Sequence, residues 1–278
     1  MPRIKTVLAE AIKSLQSVSD SALLDSEILL YTALGKDRTY LRTWPEQTLS
    51  PEQIETYQKL LQERQQGKPI AYIIGKREFW SLDFLTTPDV LIPRPETELL
   101  IELSLNRIPI RQPYHVLDLG TGSGIIAVTL ATERPEATIT ATDISSAALT
   151  IAQLNAAKHK TESIRFYQSC WFEDLPLGKF DLILSNPPYL AEDDEHLMQG
   201  DLRFEPITAL IADQNGLGDI TTIAEIARTR LQPNGHLMIE HGCDQGLAVR
   251  SLFIDLGYHF VQTHQDLAGL SRVTSGQY

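Results

Sequence analysis

Cysteine is nearly absent from this 278-residue chain: Cys170 and Cys243 are the only two, far apart and without Cys-x-x-Cys spacing. That argues against a disulfide framework or a zinc site and for two reduced thiols. No run of ~20 apolar residues occurs, so no helix is expected to cross a membrane. The first residues lack the apolar core of a signal peptide. Met1–Ser14 instead reads as an amphipathic helix carrying Lys5, Glu10 and Lys13, and a cytoplasmic location is expected. Internal repeats and low-complexity tracts are also missing. Basic charge is scarce, with 24 Lys+Arg against 36 Asp+Glu and a net charge of −12. Residues 1–75 hold nine of each sign, so the remainder carries the whole excess. Binding a duplex needs Lys and Arg to neutralise phosphates. The acidic balance, and the lack of a basic, aromatic-laced segment, therefore argue against direct nucleic-acid contact.

What is present is an ordinary globular composition, 42% hydrophobic and 22% charged, long enough for one large domain or a medium and a small one. The first seventy or so residues read as helices only. Ile4, Leu8, Ala11, Ile12 and Leu15 recur at helical spacing, as do Leu23, Leu24, Ile28 and Leu29 before a stop at Gly35. A third helix is predicted from Ser50, with Pro51 in its first turn and Gln53 completing a capping box, to about Gln66. Such a bundle serves either partner recognition or stability. From Glu78 to Ile92 the texture changes, and two short strands are expected around the turn-like cluster Thr86-Thr87-Pro88-Asp89.

Beyond His115, strand and helix patterns alternate. Strands are predicted at Val116–Leu119, Ala137–Thr142, Ile164–Tyr167, Phe180–Leu184 and His236–Glu240, with two more near Tyr258–Thr263 and Ser271–Ser275. Helices are predicted at Ile125–Thr132, Ser145–Lys158, Asp219–Leu231 (ended by Pro233-Asn234-Gly235) and Gln245–Leu256. This alternation implies a parallel sheet with helices on both faces.

Two loops carry the chemistry. The first, Gly120-Thr121-Gly122-Ser123-Gly124, joins a strand ending in Asp118-Leu119 to a helix, and its glycines let the backbone approach a ligand. Asp143 ends the next strand, where a carboxylate can accept from both hydroxyls of a ribose. The glycine spacing departs from the dinucleotide pattern, so an adenosine-containing cofactor other than NAD is favoured; an NAD site and a non-catalytic turn are the rival readings.

The second loop is Asn186-Pro187-Pro188-Tyr189, expected at the same sheet rim. Its two prolines make a stiff corner without backbone donors. It offers acceptors instead, the Asn186 side-chain oxygen and the Pro187 carbonyl, which suit the two hydrogens of an NH2 group, and Tyr189 adds a flat face. A conjugated nitrogen is a poor nucleophile because its lone pair is delocalised. Gripping both N–H bonds turns that lone pair towards an activated methyl, so positioning and fixed dipoles supply the acceleration and no metal is needed.

With these loops go Gly75-Lys76-Arg77-Glu78-Phe79-Trp80, Leu91-Ile92-Pro93-Arg94-Pro95-Glu96-Thr97-Glu98, Trp171-Phe172, Phe204-Glu205-Pro206, Ala209-Leu210, Glu240-His241-Gly242 and Arg272-Val273-Thr274-Ser275-Gly276. Over nearly its whole length the chain resembles the release-factor glutamine methyltransferases, the HemK/PrmC type. The resemblance implies a Rossmann-like, seven-stranded class I methyltransferase domain (96–278) preceded by a small all-α helical bundle (1–75) and a β-hairpin linker (76–95). It implies S-adenosylmethionine as cofactor, with Gly120, Thr121, Gly122, Ser123 and Gly124 facing its methionine part, Asp143 holding the ribose and Trp171 at the adenine edge. Asn186 would stand between cofactor and substrate, with Pro187, Pro188 and Tyr189 lining the substrate pocket. The implied substrate is the glutamine of the Gly-Gly-Gln loop of peptide chain release factors, met by a monomeric enzyme. The tetrapeptide is shared with adenine-N6 and guanine-N2 methyltransferases, which makes an adenine-N6 enzyme acting on DNA or RNA the alternative, and a non-enzymatic module that senses the cofactor is a second. Arg94, Glu96 and Glu98 either brace the rim or form a solvated helix start. His241 is read as a structural histidine rather than a general base.

Overall fold

In the computed structural model, which describes residues 1–278, the periodic apolar positions of the first segment form helices α1 (Ile4–Leu15), α2 (Ala22–Leu34), α3 (Arg38–Thr43), α4 (Pro51–Gln65) and α5 (Ile70–Ile74). Ile4, Val7 and Ala11, Leu29 and Leu30, Leu41, and Tyr57 pool into one buried cluster. The Ser50 hydroxyl accepts from the Gln53 amide at 3.2 Å, and Gln53 Oε1 accepts from the Ser50 amide at 2.9 Å. This reciprocal cap, worth about 1 kcal/mol, starts α4 where the sequence predicts it. α3 and α5 escape the sequence reading because six and five residues are too few to display a helical period.

These helices belong to a compact unit of Met1–Lys76 together with His196–Phe204; Arg77–Glu195 and Glu205–Tyr278 make up the second unit. No sequence signal announces that residues 196–204 group with the helices. The hairpin expected as a linker belongs to the second unit from Arg77 onward.

That hairpin pairs β1 (Lys76–Phe79) with β2 (Leu82–Leu85), and its turn is Trp80-Ser81, not the Thr86–Asp89 cluster. Both turn residues have positive φ, 51° and 58°, the backbone that a two-residue hairpin turn requires. Glu98 offsets part of the strain by accepting from the Trp80 amide at 3.0 Å. Thr86–Asp89 forms a separate turn after β2, closed by the Val90 amide on the Thr87 carbonyl.

The second unit is built on seven strands: β3 (Tyr114–Leu119), β4 (Ala137–Asp143), β5 (Arg165–Gln168), β6 (Phe180–Ser185), β7 (Leu231–Glu240), β8 (His259–Gln265) and β9 (Ser271–Gln277), in the order β5-β4-β3-β6-β7-β9-β8. β3 to β7 are mutually parallel, while β9 runs antiparallel to both β7 and β8, so the sheet is not wholly parallel. Pro233-Asn234-Gly235 does not precede β7 but lies inside it as an irregularity, with Asn234 at φ 66° and the register shifting opposite Phe180 and Leu182.

Alternation along the strands separates two cores. Val116, Leu182, Leu184 and Met238 face helices α6 (Glu98–Leu105) and α7 (Ile125–Glu133) and the hairpin residues Phe79 and Phe84. Leu117, Leu119, Ile183, Leu237 and Ile239 face α9 (Gly218–Arg230) and α10 (Gly246–Asp255) through Ile220, Ile223, Val249 and Phe253. α8 (Ser146–Lys158), capped by the Ser145 hydroxyl, flanks β4 and β5. Apolar faces on both sides drive the sheet inward, and the carboxyl ends of the five parallel strands meet along one rim.

Candidate active site

A cavity of about 520 Å³ opens at that rim, within the range of small-molecule sites. The loop after β3 forms one wall. Gly120, Gly122 and Gly124 all have positive φ, at 70°, 56° and 84°, a conformation that side chains with a Cβ resist. The loop is tied down by the Thr121 amide on the Thr142 carbonyl at 2.8 Å and the Gly122 amide on Asp143 Oδ2 at 2.9 Å. Asp143 Oδ1 accepts from the Ser145 amide. Burial raises the pKa of Asp143 despite these amide donors. A carboxylate has about four acceptor sites, and with the Ile144 amide as a third donor roughly one remains for a ligand hydroxyl. Beside it Ile144 is 62% exposed and lines the cavity, an apolar surface of the kind a flat ring covers.

Below the loop Asp118 is completely buried. Its Oδ2 accepts from the Thr121 hydroxyl at 2.6 Å, and burial pushes its pKa up to about 7. Trp171 lies over Gly120, its indole N–H donates to Asp219, and both residues line the cavity.

Asn186 and Pro188, which follow the neighbouring strand β6, also line the cavity. The buried Ser185 hydroxyl donates to the Leu119 carbonyl at 2.8 Å, which joins the residue before Asn186 to the residue before Gly120. The Asn186 side-chain NH2 donates to the Thr97 hydroxyl at 3.2 Å, which leaves Oδ1 as the end free to accept. The chain after Tyr189 is held by a bridge between Leu190 and Ile211, and Gln245 Nε2 donates to the Tyr189 carbonyl at 2.9 Å.

Of the candidate residues, Gly120, Thr121, Gly122, Ser123, Asp143, Trp171, Asn186 and Pro188 come together around the cavity, whereas Gly124, Pro187 and Tyr189 lie outside its lining. For Gly124 the physical reason is helix packing: a Cβ there would stand 3.1 Å from that of Ala152 on α8. Pro187 is buried and Tyr189 packs against the core under α9 and α10.

The charged cluster braces the rim. Arg94 pairs with the fully buried side chain of Glu205, whose Oε2 also accepts from the Ile92 amide at 3.2 Å. Glu96 lies 3.9 Å from Arg272, and Glu98 holds the hairpin turn. His241 is buried, with its ring nitrogens on Thr274 Oγ1 and the Gly242 carbonyl; burial lowers its pKa, as suits a structural histidine.

Residues 6–75 match the PrmC N-terminal domain family, and residues 96–202 match the methyltransferase small domain family. Release factor glutamine methyltransferase of Shewanella oneidensis is 47% identical over 278 residues, covering 99% of this chain and 97% of the relative. That of Escherichia coli is 48% identical over 271 residues, covering 98% and 97%. The chain belongs to the release factor glutamine methyltransferase family. The fold is shared more widely. The 16S rRNA N2 G1207 methyltransferase of T. thermophilus, solved with AdoMet and guanosine, superposes with a TM-score of 0.54 at 20% identity, over 73% of this chain and 49% of the other.

For this member of the release factor glutamine methyltransferase family, the sequence reading assigned no site role to Ser185, Thr97, Glu205 or Asp219. Thr97 and Glu205 lie inside segments that carry the resemblance, but Ser185 and Asp219 have no local signature: their partners, Leu119 and Trp171, are 66 and 48 residues away in the chain.

Proposed function

We propose that this chain transfers the methyl group of S-adenosyl-L-methionine to the side-chain amide nitrogen (N5) of the glutamine in the Gly-Gly-Gln loop of peptide chain release factors. The observation that carries the proposal is the placement of Asn186, which lines the cavity beside the glycine loop and is anchored through its NH2 on Thr97, so that Oδ1 is the end free to accept.

The residues present fit the cofactor. The loop Gly120–Ser123 is closed enough to take a chain-like methionine moiety against backbone. Asp143 keeps acceptor capacity for a ribose hydroxyl, and Ile144 and Trp171 offer apolar surface for adenine. When bound, the cofactor supplies a methyl group on a sulfonium, with a neutral thioether as leaving group. The protein's work is positioning. Asn186 Oδ1 accepts one N–H bond of the glutamine amide, which polarises its nitrogen and orients its lone pair; a grip on the second N–H by the Pro187 carbonyl requires that oxygen to reach a cavity whose lining Pro187 does not join. Pro188 and Tyr189 keep this corner stiff, Tyr189 from beneath rather than from the cavity wall.

The test is methyl transfer from labelled cofactor to a purified release factor and, separately, to DNA and RNA, followed by mass mapping of the product. Label on the Gly-Gly-Gln glutamine is expected. Label confined to nucleic acid overturns the substrate assignment in favour of an adenine-N6 activity.

A further inference from the structure

The grip on the substrate depends on which end of the Asn186 carboxamide faces the cavity, and two buried residues outside the proposed catalytic set bear on that choice. Thr97, at the start of α6, is fully buried. Its hydroxyl donates to the carboxylate of Glu240, the last residue of β7, and accepts from Asn186 Nδ2 at 3.2 Å. Glu240 is itself 1% exposed, and its second oxygen, Oε2, has no partner. A hydroxyl has a single hydrogen. While that hydrogen is committed to the carboxylate, the Thr97 oxygen can only accept, so it selects the NH2 end of Asn186 and leaves the C=O end outward.

We propose that the Glu240 carboxylate, acting through the Thr97 hydroxyl, sets the orientation of the Asn186 amide and so makes its oxygen available to the substrate NH2 group. This rests on the reading of Asn186 as an acceptor for that group. Protonating Glu240 undoes the arrangement: its new O–H can donate to Thr97, whose hydrogen is then free for Asn186 Oδ1. The amide is no longer held, and in its flipped form it opposes NH2 to NH2. The charged and titratable groups facing Glu240 are Arg94 and Glu96 before α6, Tyr189 after β6 and Arg272 on β9. The two arginines favour the carboxylate and Glu96 opposes it, but burial is the largest influence and places the titration at about pH 7. Thr97 and Glu240 are thus positioning residues with a pH-dependent output.

The experiment combines kinetics with a direct probe of the amide. The kcat and KM for methyl transfer are measured from about pH 5.5 to 9 for the native protein, Thr97→Val, Thr97→Ser and Glu240→Gln, with cofactor affinity determined separately. Thr97→Val is expected to lower kcat about tenfold or more while cofactor affinity stays within about threefold, and Thr97→Ser to restore kcat, the scale expected when one oriented polar contact is lost. Native kcat is expected to fall below about pH 7, and this limb is expected to vanish in Glu240→Gln. In the native protein, the ¹⁵N–¹H signals of the Asn186 side chain, assigned by their loss in Asn186→Ala, should titrate with the same midpoint. Native-like kcat in Thr97→Val, an acid limb that persists in Glu240→Gln, or Asn186 signals that do not move with pH would each overturn the proposal. If the native protein methylates nucleic acid instead, the substrate reading fails while the same variants, read on that substrate, still decide the role of Thr97 and Glu240.

Discussion

Gly216 packs directly against Tyr189: a methyl group built on Gly216 would stand 2.1 Å from the Tyr189 carbonyl oxygen and 2.8 Å from Gln245 Nε2, the donor to that same carbonyl. The approach is made by three successive left-handed residues, Gln214, Asn215 and Gly216, at φ 56°, 55° and 82°. Two non-glycine residues in that region cost about 1–2 kcal/mol each, a strain retained at the back of the Asn186–Tyr189 corner. Gly216→Ala meets backbone rather than a flexible side chain, so the corner must shift. It should lower methyl transfer at least tenfold and cost about 1–3 kcal/mol in urea unfolding. Native turnover in this variant would show that the corner tolerates displacement.

Asn186→Ala removes the acceptor but no part of the glycine loop or Asp143. Turnover should fall by about 10²-fold or more, the scale of deleting one preorganised polar contact, with cofactor affinity within about tenfold of native. Isothermal titration and single-turnover kinetics separate the two effects. An unchanged single-turnover rate would remove Asn186 from the chemistry.

Legibility tracked the sequence distance over which each interaction acts. The Ser50–Gln53 cap, the sheet strands and the glycine loop are written in short, periodic or compositional patterns, and they appear where expected within a residue or two, except β7, which starts five residues before His236. The hairpin turn lies away from the expected Thr86–Asp89 because Trp80-Ser81 contains none of the Gly, Asn or Asp residues that usually mark positive φ; its conformation is held by Glu98, 18 residues on. The rim was half legible. Asn186 and Asp143 stand out by strand-end position and type. Thr97, Glu240 and Ser185 acquire meaning only once parallel strands place Leu119 beside Ser185 and the start of α6 against the end of β7.

Asp143 has two duties, since it holds the Gly122 and Ser145 amides as well as offering an acceptor to a ligand. Asp143→Ala would confound loop collapse with ligand loss, so Asp143→Asn, which keeps one oxygen acceptor, is the cleaner change. Binding of S-adenosylmethionine should weaken by about 1–3 kcal/mol, the cost of stranding one hydroxyl partner, which is roughly 10- to 100-fold in Kd. Unaltered Kd would refute the ribose assignment.

In the helical unit, Arg64 Nε meets Asp25 Oδ2 at 2.7 Å, with both groups buried, and Arg64 also donates to the Gly67 and Lys68 carbonyls. Asp25 further accepts from the hydroxyls of Ser19 and Ser21. Removing the arginine leaves a buried carboxylate without its cation, so Arg64→Ala should destabilise by about 3–5 kcal/mol. The double change Asp25→Leu, Arg64→Met should cost less than the single one. Equal losses in urea unfolding would mean that packing, and not charge pairing, accounts for the effect.

Glu240 also links stability to pH. Burial raises its pKa from an ordinary 4.5 to about 7, so the folded protein keeps this proton to higher pH than the unfolded chain does. The stabilising contribution is complete below about pH 4.5 and is lost as pH rises through about 7, amounting to about 3 kcal/mol once the buried group is charged. Glu240→Gln is uncharged throughout and escapes this loss. Its stability relative to native should therefore be greater at about pH 8 than at about pH 5, whatever constant penalty the new amide brings. Asp118, pushed up to about 7 in the same way, is present in both proteins and cancels from the comparison. Urea unfolding of both proteins at the two pH values measures the difference directly. A gap that does not widen with pH would mean that Glu240 is already charged near pH 5, held as carboxylate by Arg94 and Arg272 against its burial.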